Sequence, residues 1–224
     1  MRLALFSLFF LSCTAASHPP VLRPLEPLDS AAADQLRQTC LALSGPVETP
    51  RRLVHSIEAR LPGGGGTVLM GVTQADCAAG VIRSVLLTLE GMVLFDGETG
   101  PAVYNEMAGK KDIRIHRALP PFDSPGLAAG LLSDAALIAC PPHRPPDAVG
   151  SGDQGRHICR FRKSRVTLDL IPEADGWTLR EYADGRLRRT LRSAAGITEL
   201  VARDAGYALD LDLISAESVK ETAP

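Results

Sequence analysis

The segment Tyr207-Ala208-Leu209-Asp210-Leu211-Asp212-Leu213 sets large apolar side chains at every second position. Ala208, Asp210 and Asp212 stand between them. A period of two belongs to a strand that buries one face and wets the other. Working outward, similar short segments recur. His157–Arg162, Arg165–Ile171, Trp177–Ala183, Arg186–Arg192 and Ile197–Arg203 are expected strands, and Asp175-Gly176 and Asp184-Gly185 are tight hairpin turns.

The first half of the chain repeats the theme. In Leu53–Leu61, Leu53, Ile57, Ala59 and Leu61 share one face, and Ser56, Glu58 and Arg60 the other. A glycine turn at Gly63–Gly66 leads to a strand over Thr67–Thr73. Val81–Phe95 is too long for one regular strand. With Gly91 inside it, it reads as two strands or one strongly bent one. Asp96-Gly97 is expected to be a hairpin turn, followed by weaker strands at Ala102–Met107 and Asp112–Leu119.

Two segments carry helical spacing instead. Asp29 or Ser30 caps an expected helix from about Ala31 to Leu43, with Leu36, Cys40 and Leu43 on one narrow face. Gly126–Cys140 is apolar nearly all round, so it must be buried or cover something apolar. Two helices are too few for a βα alternation. The fold class expected is therefore mainly β (α+β): a single curved antiparallel sheet, with an N-terminal helix and a mid-chain covering helix. Residues 31–214 form the domain and residues 215–224 a flexible tail. Residues 141–155, rich in proline and glycine, are expected to be a mobile loop.

The N-terminus indicates where the protein works. Met1-Arg2 precedes an apolar run, Leu3–Leu11, interrupted only by Ser7. A charged start and a short apolar run describe a secretory signal, and the run is too short to span a bilayer. Phe10-Leu11-Ser12-Cys13 resembles the lipobox of bacterial lipoproteins, although Phe10 and Leu11 depart from its preferred residues. On that reading the signal is 1–13, Cys13 is diacylated, and residues 14–30, with four prolines, are a tether. By the same resemblance, Thr14 behind the cysteine implies sorting to the outer membrane. The alternative is ordinary cleavage near Ala15-Ala16-Ser17 and a free periplasmic protein.

The 224-residue chain has a formal charge of -2 and 4% aromatic residues, which argues against nucleic acid as the main partner. Arg160, Arg162, Lys163 and Arg165, with Arg186, Arg188, Arg189 and Arg192, read either as a solvated face or as a patch for anionic lipid headgroups. Setting Cys13 aside leaves Cys40, Cys77, Cys140 and Cys159, an even number for an oxidising compartment. Cys140-x-x-His143 with His157-x-Cys159 has metal-ligand residue types but no standard finger spacing. The favoured reading is a Cys140–Cys159 disulfide stapling the Pro-rich loop, with no metal; four free buried cysteines are also open. No Gly-x-Ser-x-Gly elbow is present, and neither His55 nor His116 has a sequence partner that tunes it for acid–base work. No enzyme activity and no cofactor are expected.

The order of elements resembles the carriers and receptors of the outer-membrane lipoprotein localisation system, LolA and LolB. Arg117-Ala118-Leu119-Pro120-Pro121-Phe122 with Gly126–Leu132 carries the local likeness, and the hairpin block from Trp177 to Leu209 adds to it. The resemblance implies an unclosed β-barrel whose apolar concave side holds acyl chains, lipid or lipoprotein cargo. Leu87, Leu89, Val93 and Phe95, with Leu127, Leu131 and Leu132 from the cover, are the candidate lining residues. The rival reading is a structural module that docks a partner protein of the envelope by an exposed sheet edge or face.

Overall fold

A computed structural model describes residues 20–43, 49–61, 64–100 and 113–219. Twelve strands form one antiparallel sheet: β1 (Arg51–Arg60), β2 (Gly66–Asp76), β3 (Val81–Leu87), β4 (Val93–Thr99), β5 (Ile113–Ala118), β6 (Ala148–Ser151), β7 (His157–Lys163), β8 (Val166–Glu173), β9 (Gly176–Ala183), β10 (Arg186–Ala194), β11 (Ile197–Ala202) and β12 (Tyr207–Ser218). Their spatial order is β5-β4-β3-β2-β1-β12-β11-β10-β9-β8-β7-β6. The chain thus builds outward from the β1–β12 pair, which joins its first and last strands. Strands β5 and β6 are the two edges, and the sheet does not close.

Curvature follows from where the core lies. Leu69, Leu86 and Phe95 from one end share a single apolar cluster with Cys159, Phe161 and Leu170 from the other. A flat sheet this wide would keep those ends far apart at about 4.8 Å per strand. Two helices fill the concavity. Helix α1 (Ser30–Leu43) starts where the Asp29 carboxylate accepts a hydrogen bond from the Ala32 N–H at 2.8 Å, and packs on β6–β8 through Leu36 and Cys40. Helix α2 (Pro125–Ala139) is capped by Ser124, with Pro125 in its first turn, and packs on β2–β4.

The cysteines pair differently from the expected staple. Cys40 bonds Cys159 and Cys77 bonds Cys140, over separations of 119 and 63 residues. Cys140 and Cys159 are therefore both bridged, but to other partners, and neither sulfur is free for the weighed zinc site. The reason is topological: Cys159 sits on β7 beneath α1, while Cys140 closes α2 above the end of β2. In the chain-entropy account, loops this long are worth about 4–5 kcal/mol each.

Three local expectations need correction. Asp96-Gly97 is not a turn but the middle of β4. Gly97 faces inward, where a Cβ would stand 2.7 Å from the Phe95 ring; the turn lies at 88–92, with Gly91 at φ +86°. The expected tail at 215–218 is strand, because β12 pairs with β1 as far as Ser218–Arg51. The 141–155 segment contains β6 and is held by a bidentate Arg144–Asp147 pair. The expected strand at 102–107 lies outside the described residues.

From Pro20 the Pro-rich segment does not hang free. Leu22 donates to the Gly185 carbonyl and Glu26 exchanges hydrogen bonds with Ser151, pinning the segment over β10 and the β6 edge. Gly150 leaves room for it, since a Cβ there would stand 2.6 Å from the Glu26 carbonyl oxygen. Under this strap Arg160 makes a bidentate pair with Asp169 at 2.7 and 2.8 Å, and also donates to the Arg23 carbonyl at 2.9 Å. Both charges are buried, so removing one partner strands the other. Asp169→Ala is expected to destabilise the fold by about 3–5 kcal/mol, read as a lower urea midpoint. Replacing both residues together by apolar ones of similar volume is expected to cost much less.

Candidate functional site

The concave face is built from cross-strand rows. Antiparallel register sets Leu170, Leu179, Leu191, Leu200 and Leu209 side by side from β8 to β12, with Ala59 of β1 continuing the row. Further along β1 and β12, Ile57 pairs with Leu211. Gly71 of β2 contributes no side chain; a Cβ there would meet Ile57 Cδ1 at 2.6 Å. Helix α2 lies over this floor. Leu132 is fully buried, and Leu131, Asp134, Ala135 and Ile138 face a cavity of ≈ 40 Å³ floored by Leu53, His55, Ile57, Leu86, Leu209 and Leu211. Burial holds the His55 pKa below the usual imidazole value, so the ring is neutral at pH 7. A cavity that small has room for a few waters and not for a ligand.

One further row is polar. Glu181 on β9 pairs in register with Arg189 on β10, Arg189 with Ala202 on β11, and Ala202 with Tyr207 on β12. The small Ala202 leaves room above it. Into that room α2 lowers Asp134, 2% exposed. Asp134 Oδ2 accepts the Tyr207 hydroxyl proton, while Oδ1 lies 2.6 Å from Arg189 Nε as an ion pair that is not aligned as a hydrogen bond. Arg189 also donates to Glu181 Oε1 at 2.8 Å.

Burial works hardest on Asp134. Desolvation outweighs the attraction of Arg189 and the Tyr207 hydrogen bond, and the Asp134 pKa is pushed up to about 6. Tyr207 is pushed up too, first by burial and then by the neighbouring Asp134 charge. For Arg189, burial opposes the charge, but Asp134 and Glu181 more than offset it and the pKa rises.

The expected lining residues divide. Phe95 is fully buried on the concave face, and Leu127, Leu131 and Leu132 lie on α2, with Leu131 at the cavity. Leu87, Leu89 and Val93 do not line it. Leu87 follows inward-facing Leu86, and a register shift sets it opposite Val93 on the convex face, while Leu94 packs on the core. Leu89 lies in the turn and is 63% exposed. The bulge at Leu94 broke the simple alternation. Cys13 lies outside the described residues.

The basic residues do not form one patch. Arg160 is buried and Arg189 half-buried, on opposite faces and each with acidic partners; Arg188 pairs with Asp204, and Arg192 pairs with Glu173. Among the described residues no group of His, Cys, Asp and Glu could hold a metal ion, and no helix is long and apolar enough to cross a membrane. The residues that sequence reasoning missed are Asp134, Glu181, Arg189 and Tyr207. The available signal was Asp134, the one charge in an otherwise apolar covering helix.

Among the described residues the architecture is an antiparallel half-barrel, unclosed, with two helices on its concave side. No protein-family model and no curated protein matches the chain. Among solved structures it is similar to a LolA superfamily protein from Nitrosomonas europaea, at 12% identity and TM-score 0.46. It is also similar to a domain described as an outer membrane lipoprotein-sorting protein from Vibrio parahaemolyticus, at 6% and 0.43, and to a DUF1329 family protein from Desulfovibrio piger, at 9% and 0.38. Each alignment covers 86% of this chain and 94% of the other. At these identities and TM-scores nothing about ligand or activity transfers.

Asp134 gives the chain an unusual pH response. Its folded pKa lies above that of an unfolded aspartate, so its contribution is greatest below about pH 4 and falls as pH rises to about 6. Above that it is flat. The stability of the wild type minus that of Asp134→Asn, measured by denaturant titration, is expected to decline from pH 4 to 6 and then level off. The Cys77–Cys140 bridge pins only the C-terminal end of α2, where Arg51 also donates to the Ala139 carbonyl at 2.7 Å. In Cys77→Ser/Cys140→Ser, amide exchange is expected to speed up over residues 132–139 and stay slow over β1.

Proposed function

We propose that this is an exported binding protein that holds an apolar chain, from a lipid or lipoprotein, on the concave face of the open sheet beneath α2. The observation that carries this reading is the covering helix itself. An almost wholly apolar α2 lies on a mainly apolar floor that also carries His55, Thr73 and Ser84, pinned at one end by a disulfide, with a small cavity already between them. Ligand pockets usually measure about 300–1,000 Å³. The ≈ 40 Å³ present is a closed state, and a chain enters as α2 lifts at its Ser124 end, which no disulfide holds. Hydrocarbon then replaces Leu131, Leu132 and Ala136 against the sheet, so floor and helix stay covered and the exchange runs on equivalent apolar contact. The action is binding, not catalysis.

The signal run Leu3–Leu11 and Cys13 support export and a lipid anchor on the periplasmic face of the outer membrane. Each acyl CH₂ buried there adds about 0.8 kcal/mol, so a diacylated Cys13 carrying palmitate-length chains would hold firmly. The function lies in envelope biogenesis.

The test is native mass spectrometry and fluorescent fatty-acid displacement on the full exported chain. Wild type is expected to carry or take up one chain per molecule. Leu131→Arg and, independently, Ala135→Phe are expected to weaken uptake at least tenfold with circular dichroism unchanged. A folded wild-type protein that takes up no acyl chain of any headgroup would overturn the reading. Gel analysis of metabolically labelled palmitate, lost in Cys13→Ala, tests the anchor.

A further inference from the structure

The polar row on the floor asks what happens when α2 leaves. In the closed chain the sheet offers one carboxylate a two-point seat: Arg189 Nε on one oxygen and the Tyr207 hydroxyl on the other. The seat is filled by Asp134, carried on the lid. Lifting α2 removes that carboxylate and leaves both groups facing the floor on which the chain is to lie. Covering them with plain hydrocarbon would strand a buried hydroxyl and a half-paired guanidinium, both costly in a low-dielectric site.

We infer that the ligand is an apolar chain ending in a carboxylate, and that this carboxylate takes the place of Asp134 on Arg189 and Tyr207. The inference rests on the proposed binding of an apolar chain beneath α2 and adds to it the chemistry of the head. Three features support it. The seat borders the floor: Tyr207 is in line on β12 with Leu209 and Leu211, which line the cavity, so a chain anchored at the seat runs directly over them. Glu181 holds Arg189 from its other side at 2.8 Å, fixing the guanidinium whether or not the lid is down. The site also already accommodates a second carboxylate beside Glu181, so a ligand carboxylate restores the closed-state charge exchange for exchange. A cationic head would leave Arg189 facing a like charge.

The test titrates the full chain at pH 8 with palmitate, hexadecanol and hexadecyltrimethylammonium, each below its micelle concentration. Palmitate is expected to bind at least tenfold more tightly than hexadecanol, and the cation more weakly than either. Arg189→Gln is expected to abolish the preference for palmitate over hexadecanol. Tyr207→Phe keeps the ring and removes one contact, so it is expected to reduce the preference while leaving the fold intact. Asp134→Ala removes the competing carboxylate and loosens the lid; both ligands are expected to tighten, with the preference retained. Equal binding of palmitate and hexadecanol by the wild type would overturn this inference and leave apolar-chain binding standing. Binding of none of the three would overturn both.

Discussion

The structure depends on covering one apolar surface that is too wide to be left open and too open to close on itself. The strands present a row of leucines from β8 to β12 and a second apolar patch from β1 to β3. The sheet curls, so both patches face inward, yet β5 and β6 never meet. The helices supply the missing wall. Helix α1 is bolted to β7 through Cys40–Cys159 and belongs to the core. Helix α2 also buries Ala128, Leu132, Ala136 and Ala139 in the core, and adds a bridge at one end and a single buried charge in its middle.

A helix held by apolar packing alone could slide, because hydrophobic contact has no direction. Asp134 gives α2 a register, since Arg189 and Tyr207 occupy set positions on β10 and β12. The same group limits how tightly α2 holds, because burial of its carboxylate outweighs the pull of Arg189 and raises its pKa to about 6. The contact therefore specifies a position more than it adds stability, in keeping with buried ionic groups elsewhere.

Much of the fold was legible in the sequence because strands buried on one face advertise it. β1 and β12 follow the alternation of Leu53–Leu61 and Tyr207–Leu213, β8, β9 and β10 fall on the expected spans Arg165–Ile171, Trp177–Ala183 and Arg186–Arg192, and α2 follows the apolar run after Gly126. Failures came where a local rule was overridden by something distant. Gly97 carries a turn signal but serves close packing against Phe95. The bulge at Leu94 turned Val93 outward, and Leu87 faces outward because β3 buries Ile82, Ser84 and Leu86. Disulfide partners depend on which strand lies under which helix, and no spacing rule encodes that. The polar row was illegible for the same reason: Glu181, Arg189 and Tyr207 are neighbours only across strands, and Arg189 looked like one member of a basic cluster whose other members face water or the opposite side.

The strap at residues 20–29 has a consequence for reach. An anchored domain on a long leash could sweep the space above its membrane. Here the chain is already fastened to β10 and β6 by Leu22 and Glu26, so if Cys13 bears the lipid, only the residues between it and Pro20 span the gap. Fully stretched, they cover about 25 Å. Such a protein is no shuttle between two membranes; it is a fixture of one surface, and its cargo has to be brought to it or drawn from the leaflet beside it.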